Sequence, residues 1–301
     1  MMDRRNYAIG LALVLLGALG FSIKSILIKM AYAASPGIDA ITLLALRMLF
    51  ALPIFIAAAL FHNLKAHPPA LSKQEWLFVT LLGLDGYYLA SFLDFASLQY
   101  IAAGLERVIL FLYPTFVVLF SAVLFRRPIT APVLIALLLS YGGLILVFLD
   151  HLSAASSPNL WLGSALVLGS ALVFAGFTMG SGVMVHKIGT IRFTAYTMTA
   201  AGIATLIHFG VQRGSALTGF PADVYGLTLL ISVFSTVLPA FSMNAGIRRI
   251  GADFASIIST TGPIATLIFA YFLLDEPVSA MQFGGTALVL SGVYVLGKSK
   301  A

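Results

Sequence analysis

Apolar residues run through this chain in ten stretches of about 20 residues, near 7–32, 40–61, 76–98, 104–125, 131–149, 160–185, 191–212, 224–247, 254–274 and 280–297. A helix of about that length crosses the roughly 30 Å of a bilayer's hydrocarbon. The period-two alternation of a barrel strand is absent, and only helices or closed barrels satisfy every backbone polar group in lipid. The pattern therefore predicts an all-α integral membrane protein of ten transmembrane helices. Short connections such as Ser35-Pro36-Gly37-Ile38-Asp39 and Ser156-Ser157-Pro158-Asn159 leave no room for a soluble domain. The first run exceeds a signal h-region, contains Lys24 and lacks a small-residue cleavage site, so it is expected to remain as the first span.

Composition agrees. Mean hydropathy is +1.03 and 9% of residues are charged, against about 25% in soluble domains. The placement of those charges adds an orientation. Arg4, Arg5, Lys65, Lys73, Arg126, Arg127, Lys187, Arg192, Arg248, Arg249, Lys298 and Lys300 fall on one set of alternate connections, and only Arg213 falls on the other. The positive-inside rule then puts both termini in the cytoplasm, in a multi-pass protein of a bacterial-type cell (inner) membrane. That rim accounts for the net charge of +6 and leaves no reason to expect a nucleic-acid partner. With no Cys in the chain, disulfides and thiolate metal sites are excluded.

An offset of 149 residues aligns the second half with the first without a gap: Pro263, Phe269, Leu273, Pro277 and Gly292 fall on Pro114, Phe120, Leu124, Pro128 and Gly143. Near the starts, Gly10-Leu-Ala-Leu-Val-Leu resembles Gly163-Ser-Ala-Leu-Val-Leu. The unit is five helices, residues 1–150 and 151–301. An odd number of crossings inverts the second copy, and one equivalent turn carries opposite charges accordingly: Arg126-Arg127-Pro128 and Asp275-Glu276-Pro277. Inverted repeats let two halves rock about a site near the midplane, which is the architecture of alternating access. A duplicated scaffold without transport is the plainer alternative.

Ten helices in two inverted halves, the helix-2 stretch Leu44-Ala-Leu-Arg47-Met-Leu-Phe50 and the two proline pairs resemble the drug/metabolite transporter superfamily, and within it the EamA-type exporters that include bacterial aromatic amino-acid exporters. The segment from Ser259-Thr-Thr-Gly-Pro263 through Leu274-Asp-Glu-Pro277 to Gly292 is especially similar to the repeat ending of that family. The first copy departs from it where Arg126-Arg127 replaces the acidic turn. The resemblance spans nearly the whole chain and implies transport, with the cargo open among amino acids, other metabolites and drugs.

Ionisable groups inside a membrane cost about 2.5–3.5 kcal/mol on insertion scales and mark sites by default. Here they are Lys24, Lys29, Arg47, Asp85, Asp94, Glu106 and Arg107. Lys24 and Asp94 match best in depth; with Arg107 and Glu106 they could hold a substrate's carboxylate and amine, or simply pair with one another. Lys29 is expected to snorkel to the headgroups, and Arg47 to be structural. Asp85, mid-helix in Gly83-Leu-Asp85-Gly86-Tyr87-Tyr88, has no basic residue at its depth. It is the best candidate for a substrate amine or for proton coupling, against the plainer reading of a carboxyl bonded to a neighbouring helix.

Helical spacing puts Asp85, Tyr88 and Phe92 on one face of helix 3, and Phe174, Thr178 and Ser181 on one face of helix 6. Ser256, Ser259 and Pro263 line helix 9, and Ser242 and Asn244 follow Pro239 on helix 8. Pro114 and Pro263 each remove a helical hydrogen bond and are candidate hinges; single Ser, Thr or Phe residues are also ordinary packing residues. The five His give no metal signature, with His208 standing alone, and no cofactor is implied. The expectation is an exporter of amino acids or similar small metabolites, monomeric because ten helices suffice for a pathway. A carrier of other cargo in the same fold and a passive channel are the alternatives. No catalytic constellation converges, and the absent P-loop argues against an ATP-driven pump.

Overall fold

The computed structural model describes residues 4–124, 126, 130–153, 159–214, 217–250, 258 and 261–299, in helices and turns with no strand among them. The first half contains α1 (Arg4–Ala34), α2 (Ala40–Ala66), α3 (Lys73–Leu82), α4 (Ala90–Ser97), α5 (Ala103–Leu110), α6 (Tyr113–Leu124) and α7 (Ala131–Ser153). The second contains α8 (Leu160–Ile188), α9 (Thr190–Arg213), α10 (Ala222–Ser232), α11 (Leu238–Ile250), α12 (Thr261–Leu274) and α13 (Ala280–Ser299). Seven helical stretches are long and apolar enough to cross a membrane, and α12 and the α13 stretch Ala280–Val295 are shorter apolar helices.

Local chemistry sets the helix ends. Asp39 caps α2 by accepting from the Thr42 backbone N–H, and Ser72 with Glu75 forms a reciprocal capping box on α3. At the ends of α6 and α12 stand Arg126 and Asp275, with φ of 50° and 53°. These are equivalent positions of the repeat, each two residues before a proline in the sequence.

Two departures from the expected spans matter. The third span is not a single α-helix: Gly83–Leu89 between α3 and α4 is π-helical, and Val233–Val237 joins α10 to α11 in the same way. The offset of 149 carries residues 84–88 onto 233–237, so the π-turn is itself duplicated. The fourth span is also broken, into α5 and α6. Phe111 still donates to the Arg107 carbonyl at 3.1 Å, but Leu112 donates to Ile109 at 3.0 Å, one residue tighter. Pro114, lacking an N–H, then occupies the first turn of α6, where no intrahelical donor is needed.

Packing repeats across the halves. Gly17 and Gly20 of α1 bring Met243 and Pro239 of α11 into close contact, while Gly163 and Gly180 of α8 do the same with Ile101 and Leu82 around the third span. Where α7 crosses α13, a Cβ added at Gly285 would stand 2.6 Å from the Gly143 carbonyl oxygen, and one at Gly292 would stand 2.6 Å from that of Ala136. Positions 136 and 285, like 143 and 292, are equivalent in the repeat. The two contacts exchange under a two-fold relation between halves.

The solvent preference is inverted relative to a soluble protein. Val211, Phe61 and Phe272 are 84%, 78% and 73% exposed, while Glu106, Asp94, Arg47 and Arg107 are buried. An apolar perimeter with charge inside is what a lipid solvent selects.

Candidate functional site

The buried charges gather where α1, α4 and α5 meet. Lys24 Nζ of α1 lies 2.6 Å from Asp94 Oδ2 of α4, so the pair matched by depth in the sequence is made. Ser25 Oγ, one residue along α1, donates to Glu106 Oε2 of α5 at 2.5 Å. Arg107 makes its hydrogen bonds elsewhere: its Nε donates to Thr266 Oγ1 of α12 at 3.1 Å and its Nη2 to the Phe21 carbonyl. It thereby ties the first half to the second. Arg47 of α2 lies over the Phe95 ring at 5.0 Å, with Nε and Nη2 buried and without hydrogen-bond partners among the described residues.

Asp85 lies outside that network. It stands in the π-helical turn, half-buried, with Oδ2 facing Gly176 of α8, and makes no hydrogen bond or ion pair among the described residues. Phe174 and Phe177 flank Gly176 and extend an aromatic series: Tyr87 to Phe177 at 4.8 Å, Phe177 to Phe174 at 5.6 Å and Phe174 to Tyr113 of α6 at 5.0 Å between centroids. The carboxyl group thus faces a glycine whose neighbours in α8, Phe174 and Phe177, belong to that aromatic series.

The expected common face of helix 3 is not formed. Tyr88 Oη pairs with His208 Nδ1 of α9 at 2.9 Å, and Phe92 packs on the same imidazole at 5.2 Å, whereas Asp85 faces α8. The extra residue in the π-turn shifts the register between 85 and 88, so α-helical spacing misassigns them. His208, expected to stand alone, is part of this contact. Thr178 and Ser181 donate their hydroxyls to carbonyls of their own helix, Phe174 at 2.7 Å and Thr178 at 2.9 Å, keeping acceptor lone pairs free. Ser242 is buried in α11 and Pro263 in α12. Asn244 is described only through its backbone in α11, and Ser256 and Ser259 lie outside the described residues, as does Pro128.

Lys29 does not snorkel. Its Nζ donates to the Ile101 carbonyl at 2.9 Å and lies 3.4 Å from Glu276 Oε1. Glu276, absent from the sequence-derived candidates because it sits in a turn, also accepts from the Ala103 backbone N–H at the start of α5. Beside it a cavity of ≈ 420 Å³ is lined by Lys29, Tyr100, Asp150, His151, Glu276 and Gln282. His151 Nδ1 faces the Val147 carbonyl and Nε2 faces Gln282 Nε2, both at 2.9 Å. The carbonyl requires the hydrogen on Nδ1, so Nε2 accepts from the amide. A second groove, apolar and ≈ 550 Å³, runs along α2, α3 and α9. Neither is lined by Asp85.

On the same face as Glu276, Arg213 Nη2 of α9 meets Asp39 Oδ2 at 2.5 Å. Partial burial would raise the Asp39 carboxyl, but hydrogen bonds from Thr42 and Arg213 outweigh it and hold the group below its ordinary range. On the opposite, arginine- and lysine-rich face, Lys187 of α8 meets Glu75 of α3 at 3.0 Å, and Arg192 donates to the Pro69 carbonyl at 3.0 Å. Each face is therefore fastened by ion pairs between the halves.

Comparison with known proteins places this geometry. A model of the EamA-like transporter family matches residues 8–149 and again 161–298, once in each half. The uncharacterised transporter YcbK of Bacillus subtilis is 34% identical over 296 residues, covering 96% of this chain and 94% of the relative. The uncharacterised inner membrane transporter YicL of Salmonella typhimurium is 24% identical over 262 residues, 83% of each. One solved crystal structure matches over 97% of both chains with a TM-score of 0.62 at 16% identity, which speaks for the fold alone.

Proposed function

The chain belongs to the EamA-like transporter family, and from that premise we propose that it exports amino acids or similar small amine-bearing metabolites across a bacterial inner membrane by alternating access. The observation that carries this reading is Asp85. It is an intramembrane carboxyl group with no partner among the described residues, set in a π-turn of a kind that recurs at functional sites. It faces a glycine flanked by Phe174 and Phe177. A cargo ammonium would find there a charge of opposite sign, and an apolar side chain would find aromatic faces. Arg47, with two guanidinium nitrogens lacking hydrogen-bond partners among the described residues, is the complementary candidate for a cargo carboxylate.

The duplicated architecture supports rocking. The two halves touch through reciprocal glycine crossings, and ion pairs join them on both faces. Opening one face breaks Lys29–Glu276 and Arg213–Asp39; opening the other breaks Lys187–Glu75. The arginine- and lysine-rich face is the cytoplasmic one by the positive-inside rule. Both termini lie on that side, and the protein acts as a monomer with no cofactor and without catalysis.

Counterflow tests the reading. Liposomes containing only this protein are preloaded with one unlabelled amino acid at a time and given the matching radiolabelled one outside. Saturable transient accumulation that disappears in Asp85→Asn supports a carrier with Asp85 in its site. Flux without saturation or counterflow indicates a channel, and silence for every amino acid with folded protein defeats the choice of cargo.

A further inference from the structure

The two acids of the α1–α4–α5 network are arranged in a way that two carboxylates would resist. Asp94 uses Oδ2 for Lys24 Nζ at 2.6 Å, and Glu106 uses Oε2 for Ser25 Oγ at 2.5 Å. The two carboxyl groups lie close enough to interact with each other. Their remaining oxygens, Asp94 Oδ1 and Glu106 Oε1, are buried and have no partner among the described residues. Glu106 is 0% and Asp94 2% exposed, so bulk water does not reach these oxygens. A buried unsatisfied polar atom costs about 1–3 kcal/mol and more when charged.

One proton removes both deficits. Placed on Glu106 Oε1 and donated to Asp94 Oδ1, it satisfies both oxygens and leaves Asp94 ionised as the counter-ion of Lys24. The cations around the pair do not offer a different solution. From α5 itself, Arg107 is bonded to Thr266 and the Phe21 carbonyl. From α2, Arg47 lies on Phe95. From α1, Lys24 is bonded to Asp94 Oδ2 and Lys29 to the Ile101 carbonyl and Glu276, and the Tyr32 hydroxyl donates to the Phe95 carbonyl. We propose that Asp94 and Glu106 hold one exchangeable proton between them, and that this is the proton bound and released in the transport cycle.

The link to transport rests on the carrier reading above, and its geometry runs through Arg107. That residue neighbours Glu106 in the chain and is bonded to Thr266 in the second half. Movement of the halves that breaks the Thr266 contact frees a guanidinium beside the acids, which favours the doubly ionised pair and expels the proton. Return of Arg107 to Thr266 restores the state in which the proton is needed.

The test is infrared spectroscopy of the full chain in lipid, in an Asp85→Asn background so that Asp85 contributes nothing. The expected result is a protonated-carboxyl C=O band in neutral buffer that shifts in D2O and vanishes in alkaline buffer. It should be lost in both Glu106→Gln and Asp94→Asn, each nearly isosteric. Absence of the band in neutral buffer, its persistence in both variants, or its failure to respond to alkali overturns the proposal. The second arm uses liposomes and radiolabelled phenylalanine. Glu106→Gln should retain counterflow, which needs no net proton movement, and lose accumulation driven by an imposed pH gradient; a variant accumulating as the unmodified protein does overturns the coupling. If no amino acid shows counterflow, the cargo reading fails while the infrared result still decides the proton.

Discussion

Removing Lys24 or Asp94 alone leaves the other charge buried without its partner, a situation that costs about 3–5 kcal/mol. Lys24→Met and Asp94→Leu should each lower the unfolding temperature in detergent, and the double variant should recover much of the loss, because no unpaired charge remains. A double variant as unstable as the sum of the singles would mean that the pair is not one interacting unit. The exposed pair Asp39–Arg213 behaves differently. Its carboxyl group is held below its ordinary range by Thr42 and Arg213 against partial burial, so the stability it contributes is present above the unfolded pKa of about 3.9 and is lost as pH falls through the lower folded value. Asp39→Asn should therefore flatten the decline of unfolding temperature below about pH 4, with little effect at neutral pH beyond the lost contact. Lys24–Asp94 was legible in the sequence because depth in a membrane is a single coordinate that can be counted along each helix. Lys29–Glu276 was not, because Glu276 lies in a turn and reaches a helix through tertiary packing that hydropathy does not encode.

At the scale of elements, the spans were legible because roughly 30 Å of hydrocarbon imposes a length, and the offset of 149 residues because apolar sequence rarely repeats prolines and glycines in register. The π-turns at Gly83–Leu89 and Val233–Val237 were invisible, since one extra residue per turn leaves the hydropathy of a span unchanged. That same residue moved Tyr88 and Phe92 onto His208 and left Asp85 facing α8, so an inference from α-helical spacing failed at the position where the site is most unusual. Pro114 was expected to remove a hydrogen bond within one continuous span; instead α5 ends before it and the proline falls in the first turn of α6, where no donor is needed. The crossing of α7 and α13 yields a test of how tightly the fold depends on its small residues. A side chain at Gly292 meets the Ala136 carbonyl at 2.6 Å, backbone that cannot rotate away, whereas one at Gly284 meets nothing within 4 Å. Gly292→Val should destabilise by about 1–3 kcal/mol, the usual range for overpacking, and Gly284→Val should not; equal unfolding temperatures for the two would contradict the crossing.

For the whole molecule, alternating access requires that the contacts fastening one face separate while those on the other hold. The absence of Cys from the chain makes a cysteine pair introduced at one place the only site of cross-linking. Lys29 and Glu276 lie 3.4 Å apart, in different halves and beside the ≈ 420 Å³ cavity, so Lys29→Cys with Glu276→Cys can be joined by a short thiol-specific reagent. Locking that contact should abolish counterflow, and each single variant treated with the same reagent should keep it. Cleaving a reducible cross-link should restore activity, which separates immobilisation from damage. If the locked protein continues to exchange substrate, Lys29–Glu276 does not part during transport. The moving boundary would then lie elsewhere, with Arg213–Asp39 on that face and Lys187–Glu75 on the other as further inter-half ion pairs. Single cysteines at the other ion pairs report orientation: an impermeant maleimide added outside intact cells should label Arg213→Cys and leave Lys187→Cys unlabelled. The reverse pattern would turn the molecule over and make the arginine- and lysine-rich face external, against the charge asymmetry of its loops.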